Sequence, residues 1–227
     1  MTPNKEDYLK IIFELGGDVK KVSNKQILSG LNVSAASVSE MVAKLVKEKY
    51  VTHMPYQGIQ LTQKGVREAA LLVRNHRLWE VFLVQKLHYS FNAVHKEAEV
   101  LEHVTNSDLA DHLDVFLGFP KRCPHGGVIP DSHGQFQRQS HEPLADTEVG
   151  ETVVIDRVID DHELLDYIIE LGLNIGDVVT LQKIGLFESP LAILDHTQHR
   201  EMQVSVKAAN HIFITHPTAE QLASDTK

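Results

Sequence analysis

The chain has 227 residues, 42% hydrophobic and 23% charged, which is long enough for two or three domains with buried cores. No apolar run approaches the ~20 residues of a membrane-spanning helix, and the N-terminus is not a signal peptide, so we expect a cytoplasmic protein. The net charge of −9 excludes a uniformly basic nucleic-acid-binding coat, and the single cysteine, Cys123, excludes an intrachain disulfide.

Charge is distributed unevenly along the chain. Residues 1–90 contain thirteen Lys and Arg against eight Asp and Glu, a balance of +5. Residues 91–227 contain nine against twenty-three, a balance of −14. This asymmetry predicts that only the N-terminal part meets an anionic partner.

The N-terminal third predicts a helix-turn-helix. Apolar residues recur at helical spacing over residues 4–15, and Ser23 can cap a second, short helix. Ser34 can cap a third helix over residues 35–48. Two β-prone runs follow, over residues 50–54 and 58–61, with a turn between them. A hairpin after the recognition helix is a wing, so the pattern favours a winged helix whose third helix enters the major groove.

The exposed, N-terminal side of the third helix offers small and polar side chains for base edges, and its end offers lysines for phosphates. For any single lysine, a solvated helix end is the more common explanation. The predicted DNA-contacting residues are Ser34, Ala35, Ala36, Ser37, Ser39, Glu40, Lys44 and Lys47, with Lys49 as a further phosphate contact.

Two long helices are predicted next, over residues 65–87 and 93–104. His76 and Glu80, four residues apart, share one face of the first. Glu99, Glu102 and His103 fall within an arc of roughly 100° on the second. If the helices pack together, two imidazoles and three carboxylates converge, a donor set that suits a first-row divalent cation. Taken alone, each pair is more often a solvated helix face.

A further helix over residues 108–117 completes an apolar helical region. It predicts a homodimer interface, with core packing inside the monomer as the competing explanation. Cys123 and His125 then flank a proline on a short loop, which makes a compact potential chelate for a metal ion.

Over nearly its whole length, the chain strongly resembles the diphtheria-toxin-repressor (DtxR/MntR) family of iron- and manganese-dependent transcriptional regulators. Of the members, the streptococcal-type manganese regulators look most similar. The resemblance rests on the ordered set Ser34-Ala35-Ala36-Ser37-Val38-Ser39, Leu61-Thr62-x-x-Gly65, His76-x-x-x-Glu80, Glu99-x-x-Glu102-His103 and Cys123-Pro124-His125-Gly126.

The resemblance implies two metal sites per subunit. The first would use Asp7, Glu99, Glu102 and His103, with His76 at or near it. The second would use Glu80, Cys123 and His125 with a further carboxylate, taken as Asp160. Asp7 and Glu99 match the manganese-type members, since the iron-type members carry methionine and cysteine there, and carboxylates suit Mn²⁺. The thiol of Cys123 leaves Fe²⁺ or Zn²⁺ open at the second site.

After a Gly- and Pro-containing segment, short alternating runs and one helix resemble an SH3-like barrel related to ferrous-transport accessory (FeoA) domains. The strands are predicted over residues 151–158, 178–184, 191–194, 202–206 and 212–215, and the helix over 163–170. The predicted fold is thus mainly α with β. Its parts are a winged helix (1–64), a helical dimerisation and metal-binding domain (65–123), a linker (124–143), the SH3-like domain (144–216) and a tail (217–227).

The predicted function is a manganese-responsive repressor of metal-uptake genes that binds palindromic operator DNA as a homodimer, with no membrane partner. Asp7, Glu80, Glu99 and Glu102 should repel one another without a cation, so the ion would draw the first helix onto the dimerisation helices. The alternatives are an iron-responsive regulator, a winged-helix protein with a purely structural metal, and a dinuclear carboxylate oxidase. The oxidase is disfavoured because the chain lacks two copies of Glu-x-x-His.

Overall fold

The computed structural model describes residues 1–187 and 189–218, which fall into two compact units. The first unit contains residues 1–124 and 128–138. The second contains residues 125–127 and continues from residue 139. Most of the predicted tail, from residue 219 onward, lies outside the described residues.

The first unit begins with the predicted winged helix. Ser23 caps the second helix in a reciprocal capping box with Gln26, and Ser34 caps the third by accepting from the Ser37 amide. The third helix buries Val38 and the apolar residues that follow at helical spacing. The elements are α1 (Pro3–Glu14), α2 (Asn24–Leu31), α3 (Ala35–Lys47), β1 (Val51–Met54) and β2 (Gly58–Leu61).

The wing is an antiparallel hairpin that pairs Val51 with Leu61 and Met54 with Gly58. Val22 extends it by an isolated antiparallel bridge to Ile59, which joins the wing to the helices. The winged-helix prediction is therefore confirmed, with element ends within about two residues of those predicted.

Three further helices follow: α4 (Gln63–Leu87), α5 (Val94–Glu102) and α6 (Ser107–Phe116). Thr62 caps α4 by accepting from the Gly65 amide. Gly65 must be glycine, because a Cβ there would lie 2.0 Å from the carbonyl oxygen of Tyr50. The apolar cluster between α4 and α6 comprises Leu78, Val81, Ala110, Leu113, Cys123 and Ile129.

Part of the predicted linker packs on the first unit. Val128 forms an antiparallel bridge with Arg122, and the Phe136 ring lies edge-on to Phe13 with 4.8 Å between centroids. A composition rich in Gly, Pro and Ser predicted a linker. In the structure, the contact between the Phe136 and Phe13 rings and the buried Gly134 hold this stretch against the helices.

The described residues of the second unit form a five-stranded antiparallel sheet, two α-helices and a short 3-10 helix at Leu144–Asp146. Counted along the chain, the strands lie side by side in the order fourth, third, second, first and fifth. The strand predicted over residues 202–206 was wrong at its end: the strand covers Arg200–Val204, and Val206 begins a helix because Ser205 caps it by accepting from the Ala208 amide. The elements are β3 (Thr152–Val158), α7 (His162–Leu171), β4 (Val178–Lys183), β5 (Leu191–Asp195), β6 (Arg200–Val204), α8 (Val206–Ala209) and β7 (Ile212–Thr215).

Across the described ranges 1–187 and 189–218, no helix combines the length and the apolar character needed to cross a membrane.

Candidate metal centre and nucleic-acid interface

The first candidate site joins α1 of the winged helix to the end of α5. His103 Nε2 lies 3.1 Å from Asp7 Oδ1 and 3.5 Å from Glu102 Oε1. One donor atom from each of these three residues lies within 4.8 Å of the other two. Glu102 is fully buried and the other two are partly buried, so an ion here would be held largely out of water.

Glu6, which the sequence analysis did not single out, orients His103. The Nδ1–H of His103 donates to Glu6 Oε2 at 2.6 Å, which directs Nε2 toward Asp7 and Glu102. A carboxylate on the far nitrogen of a ligating histidine fixes the tautomer and the ring orientation. Glu6 lies one residue before Asp7 on α1, so this helix supplies both a candidate ligand and the group that orients another.

Asp7 carries an oxygen that fits a cation. Its Oδ1 is buried and, among the residues the structure describes, accepts no hydrogen bond. Burial raises the pKa of Asp7, although the nearby His103 and Lys10 lower it. A buried carboxylate oxygen without a donor is costly, and a divalent ion bound to it would remove that cost. The residues present therefore fit the oxygen- and imidazole-ligated ion that the resemblance implies.

His76 connects this site to Glu80. Its Nδ1 contacts Glu102 Oε2, and its Nε2 lies 3.2 Å from Glu80 Oε1. Burial and the Lys10 ammonium lower the pKa of His76, but Glu80 and Glu102 outweigh them and raise it to about 10. The two buried carboxylates therefore favour the protonated form of the His76 imidazole over the neutral form.

His95 is a candidate ligand that the sequence analysis missed. His95 is buried on α5. One of its ring nitrogens lies within 4.8 Å of a ring nitrogen of His76 and of a carboxylate oxygen of Glu80. Its Nε2 is also 3.4 Å from Glu99 Oε2, and this hydrogen bond lowers the pKa of Glu99. The i, i+4 spacing of His95 and Glu99 was the available signal, the same spacing that identified His76 and Glu80.

Lys10 lies inside the carboxylate cluster. Its ammonium donates to both oxygens of Glu102, at 2.8 and 3.0 Å, and to Glu99 Oε1 at 3.4 Å. Together with His76 it lowers the pKa of Glu102 against the opposing effect of burial. The expected repulsion among the carboxylates is therefore offset within the chain itself.

The residues of the second predicted site are distributed over both units. In the first unit, a Glu80 carboxylate oxygen and the Cys123 thiol sulfur lie within 4.8 Å of each other. In the second unit, His125 Nδ1 lies 2.7 Å from Asp160 Oδ1, and the His125 side chain is fully buried. Cys123 also belongs to the apolar cluster between α4 and α6, so its burial alone does not require a metal.

The predicted DNA-contacting residues lie on the exposed face of α3 or at its N-cap, except Lys49, which is exposed in the turn after the helix. Three serine hydroxyls make local hydrogen bonds: Ser34 caps the helix, Ser37 Oγ lies 2.9 Å from Ser34 Oγ, and Ser39 donates to the Ala35 carbonyl at 3.0 Å. Lys44 donates to Glu40 at 2.7 Å, one turn earlier on the same face. The surface is thus small and polar where a helix would approach base edges, with lysines toward its end.

Three family models match consecutive parts of the chain. The iron dependent repressor N-terminal DNA-binding domain matches residues 1–59, and the iron dependent repressor metal-binding and dimerisation domain matches residues 62–131. The FeoA domain matches residues 142–216. These matches confirm the predicted fold class of a winged helix, a helical dimerisation domain and a β-rich SH3-like domain.

Individual relatives agree with the family models. The structure of the manganese regulator SloR is 42% identical with a TM-score of 0.79, covering 96% of this chain and 100% of that one. The structure of ScaR with bound Zn²⁺ is 34% identical with a TM-score of 0.78, covering 94% and 100%. The transcriptional regulator MntR of Oceanobacillus iheyensis is 31% identical over 53% of this chain and 81% of its own length.

These relatives are transcriptional regulators and not enzymes, which confirms the expectation that the chain is not an enzyme. The descriptions of the matched models also make it a DNA-binding, metal-binding protein with a dimerisation domain. The chain therefore belongs to the DtxR/MntR family of metal-dependent transcriptional regulators.

Proposed function

We propose that this regulator responds to Mn²⁺ and represses metal-uptake genes by binding a palindromic operator as a homodimer in the cytoplasm. One observation carries the manganese assignment: the Asp7, Glu102 and His103 donor atoms converge as two carboxylates and one imidazole, with no sulfur among them. Hard oxygen donors with imidazole suit Mn²⁺, whereas thiolate would favour softer ions. The similarity to the manganese regulator SloR and to the manganese-activated repressor ScaR supports the same choice.

The position of α1 supports a mechanism in which metal binding controls DNA binding. One face of this helix supplies Asp7 to the candidate site, and near its start Lys5 forms an ion pair with Glu48 at the end of α3. An ion bound by Asp7, Glu102 and His103 would therefore restrain the helix that contacts the recognition helix. In a dimer, that restraint would favour a spacing of roughly 34–36 Å between two recognition helices, as successive major grooves require.

The dimer proposal has support from the surface of the helical region. Several large apolar side chains there are exposed in the single chain, among them Val100, Val104, Val115 and Phe116 at 62–75%. Exposed apolar groups in such number mark an interaction surface. A second copy of this chain is the proposed occupant because the matched model is described as a dimerisation domain.

We propose two ions per subunit, with Glu80 as a ligand of the second. The first unit offers Glu80 two sets of partners, the buried imidazoles of His76 and His95 or the thiol of Cys123. The predicted set of Glu80, Cys123, His125 and Asp160 stays a prediction. A thiolate ligand would let this second site accept Zn²⁺ or Fe²⁺ as well as Mn²⁺.

The test is fluorescence anisotropy of a palindromic duplex selected from random DNA by the wild-type protein with Mn²⁺, across a panel of divalent ions. Mn²⁺ should strengthen binding by at least about tenfold, a typical allosteric coupling. Asp7→Ala and Glu102→Gln should lose that response. Glu97→Ala, which removes an exposed carboxylate from the same helix α5, is the matched control and should keep it.

Three results would contradict the proposal. If the wild type binds DNA equally well with and without ions, metal binding does not control DNA binding. If DNA binding responds to Fe²⁺ but not to Mn²⁺, the result favours the iron-responsive alternative. If chelator lowers the melting temperature so far that the ion-free protein is unfolded, the metal is structural.

A further inference from the structure

Lys10 places a fixed positive charge where the candidate site needs a cation. Its side chain is only 12% exposed, and the Glu102 side chain that it contacts is fully buried. The ammonium donates to both oxygens of that carboxylate and to Glu99 as well. This is a built-in cation in the interior of the cluster and not a solvated surface ion pair.

We propose that Lys10 is an internal competitor for the ion, which sets the affinity of the site for Mn²⁺. This inference rests on the proposed function of that site. Glu102 Oε1 is the oxygen that lies 3.5 Å from His103 Nε2, and the same oxygen accepts from Lys10 at 2.8 Å. An ion that binds this oxygen must either displace the ammonium or remain close to it.

Both routes weaken ion binding. Displacement breaks charge-assisted hydrogen bonds to a buried carboxylate, which are stronger than neutral ones. Coexistence places a divalent ion near a positive charge in a site where water screens poorly. The free energy of binding is therefore smaller than the carboxylates and imidazole would give without Lys10.

Lys10 also stabilises the ion-free protein. It joins α1 to the end of α5 through Glu102 and thereby offsets the repulsion between Glu99, Glu102 and Asp7. The consequence is a site that stays folded without an ion and fills only at a higher ion concentration. Lys10 is thus a positioning and affinity-setting residue, and no ligand role is assigned to it.

The experiment compares wild type with Lys10→Met, which keeps most of the length of the side chain and removes its charge, and with Lys10→Arg, which keeps the charge. Free Mn²⁺ is measured by its EPR signal during titration of the full-length protein, and thermal melting is recorded with chelator. We expect Lys10→Met to bind Mn²⁺ at least about tenfold more tightly and to melt at a lower temperature when ion-free. Lys10→Arg should stay close to wild type in both measurements.

The variant Glu102→Gln separates the claim that this site binds Mn²⁺ from the claim that Lys10 sets its affinity. If it binds Mn²⁺ as the wild type does, the proposed site itself is wrong, whatever Lys10 does. If Glu102→Gln loses an ion but Lys10→Met binds Mn²⁺ as tightly as wild type or more weakly, the site stands and the role of Lys10 is refuted. Should Lys10→Met fail to fold without an ion, Lys10→Gln, which also lacks the charge, is held to the same expectation.

Discussion

At the scale of single residues, the candidate metal centre depends on groups that hold its ligands as much as on the ligands. His103 has its Nε2 directed toward Asp7 and Glu102 because its Nδ1–H donates to Glu6. A ring held this way loses little conformational freedom when an ion binds. Glu6 is therefore expected to contribute to ion affinity without contacting the ion.

Replacement of Glu6 by alanine tests this role. Glu6→Ala should weaken Mn²⁺ binding by about 10- to 100-fold, the usual effect of removing an orienting partner from a histidine ligand. Glu6→Gln, which can still accept the hydrogen bond but lacks the charge, should fall between this variant and wild type. EPR titration of free Mn²⁺ gives the affinities, and Glu97→Ala on α5 serves as the neutral comparison. Unchanged affinity in Glu6→Ala would mean that the hydrogen bond does not prepare the ring.

The sequence reveals candidate ligands but not their surroundings. Helical periodicity and chemistry identified His76, Glu80 and the α5 cluster, because ligands on one helix repeat at visible spacings. Lys10 and Glu6 could not be found in this way, since their partners Glu102 and His103 lie more than ninety residues away in the chain. Those contacts arise only when α1 and α5 come together in the fold.

At the scale of elements, α1 is held to α4 by a buried ion pair. Arg77 Nη2 donates to Glu14 Oε1 at 2.5 Å, and the same guanidinium donates to the Val128 carbonyl. Both charged side chains are at least 94% buried. This pair joins the end of the first helix to the long helix that follows the wing, and so fixes where α1 lies relative to the candidate metal centre.

Loss of the charge on Glu14 should therefore destabilise the first unit. Removing one partner of a buried pair leaves an uncompensated charge, so Glu14→Gln should lower the free energy of unfolding by about 3 kcal/mol. Thermal melting in the presence of chelator measures this without a contribution from bound ions. Glu40→Gln is the control, because Glu40 pairs with Lys44 on the exposed face of α3 and its loss should barely change the melting temperature. Equal melting of both variants would show that the buried pair adds nothing.

The elements themselves were largely predictable, for a physical reason. The caps Ser23 and Ser34 and the apolar periodicity are local signals that predicted the helices, and two β-prone runs with a turn between them predicted the wing. The packing of residues 128–138 on the first unit was missed because it depends on a distant contact between Phe136 and Phe13. The helix at Val206–Ala209 was missed because four residues are too few to show periodicity.

At the scale of the whole molecule, the charge distribution favours the N-terminal part of the chain as the part that binds DNA. Residues 1–90 have a net charge of +5 in a chain whose total is −9. Such a protein attracts phosphates only over part of its surface, and its DNA affinity should fall steeply with salt because bound phosphates release counterions. The predicted contributors are the lysines at the end of α3, and they differ in their surroundings. Lys44 is already paired with Glu40, whereas Lys47 lies one turn further along the same helix.

The salt dependence of operator binding can distinguish the contributions of Lys44 and Lys47. For the Mn²⁺-loaded homodimer, Lys47→Ala should reduce the slope of log affinity against log salt by about two, one for each phosphate contact in the two subunits. Lys44→Ala should change the slope less, because the ion pair with Glu40 already neutralises part of the Lys44 charge. Lys183→Ala, on the exposed end of β4 in the second unit, should leave both slope and affinity unchanged. Anisotropy titrations over a series of salt concentrations measure all three variants. If Lys183→Ala lowers the slope as much as Lys47→Ala does, DNA is bound through both units, and the acidic C-terminal part does not stand apart from the interface.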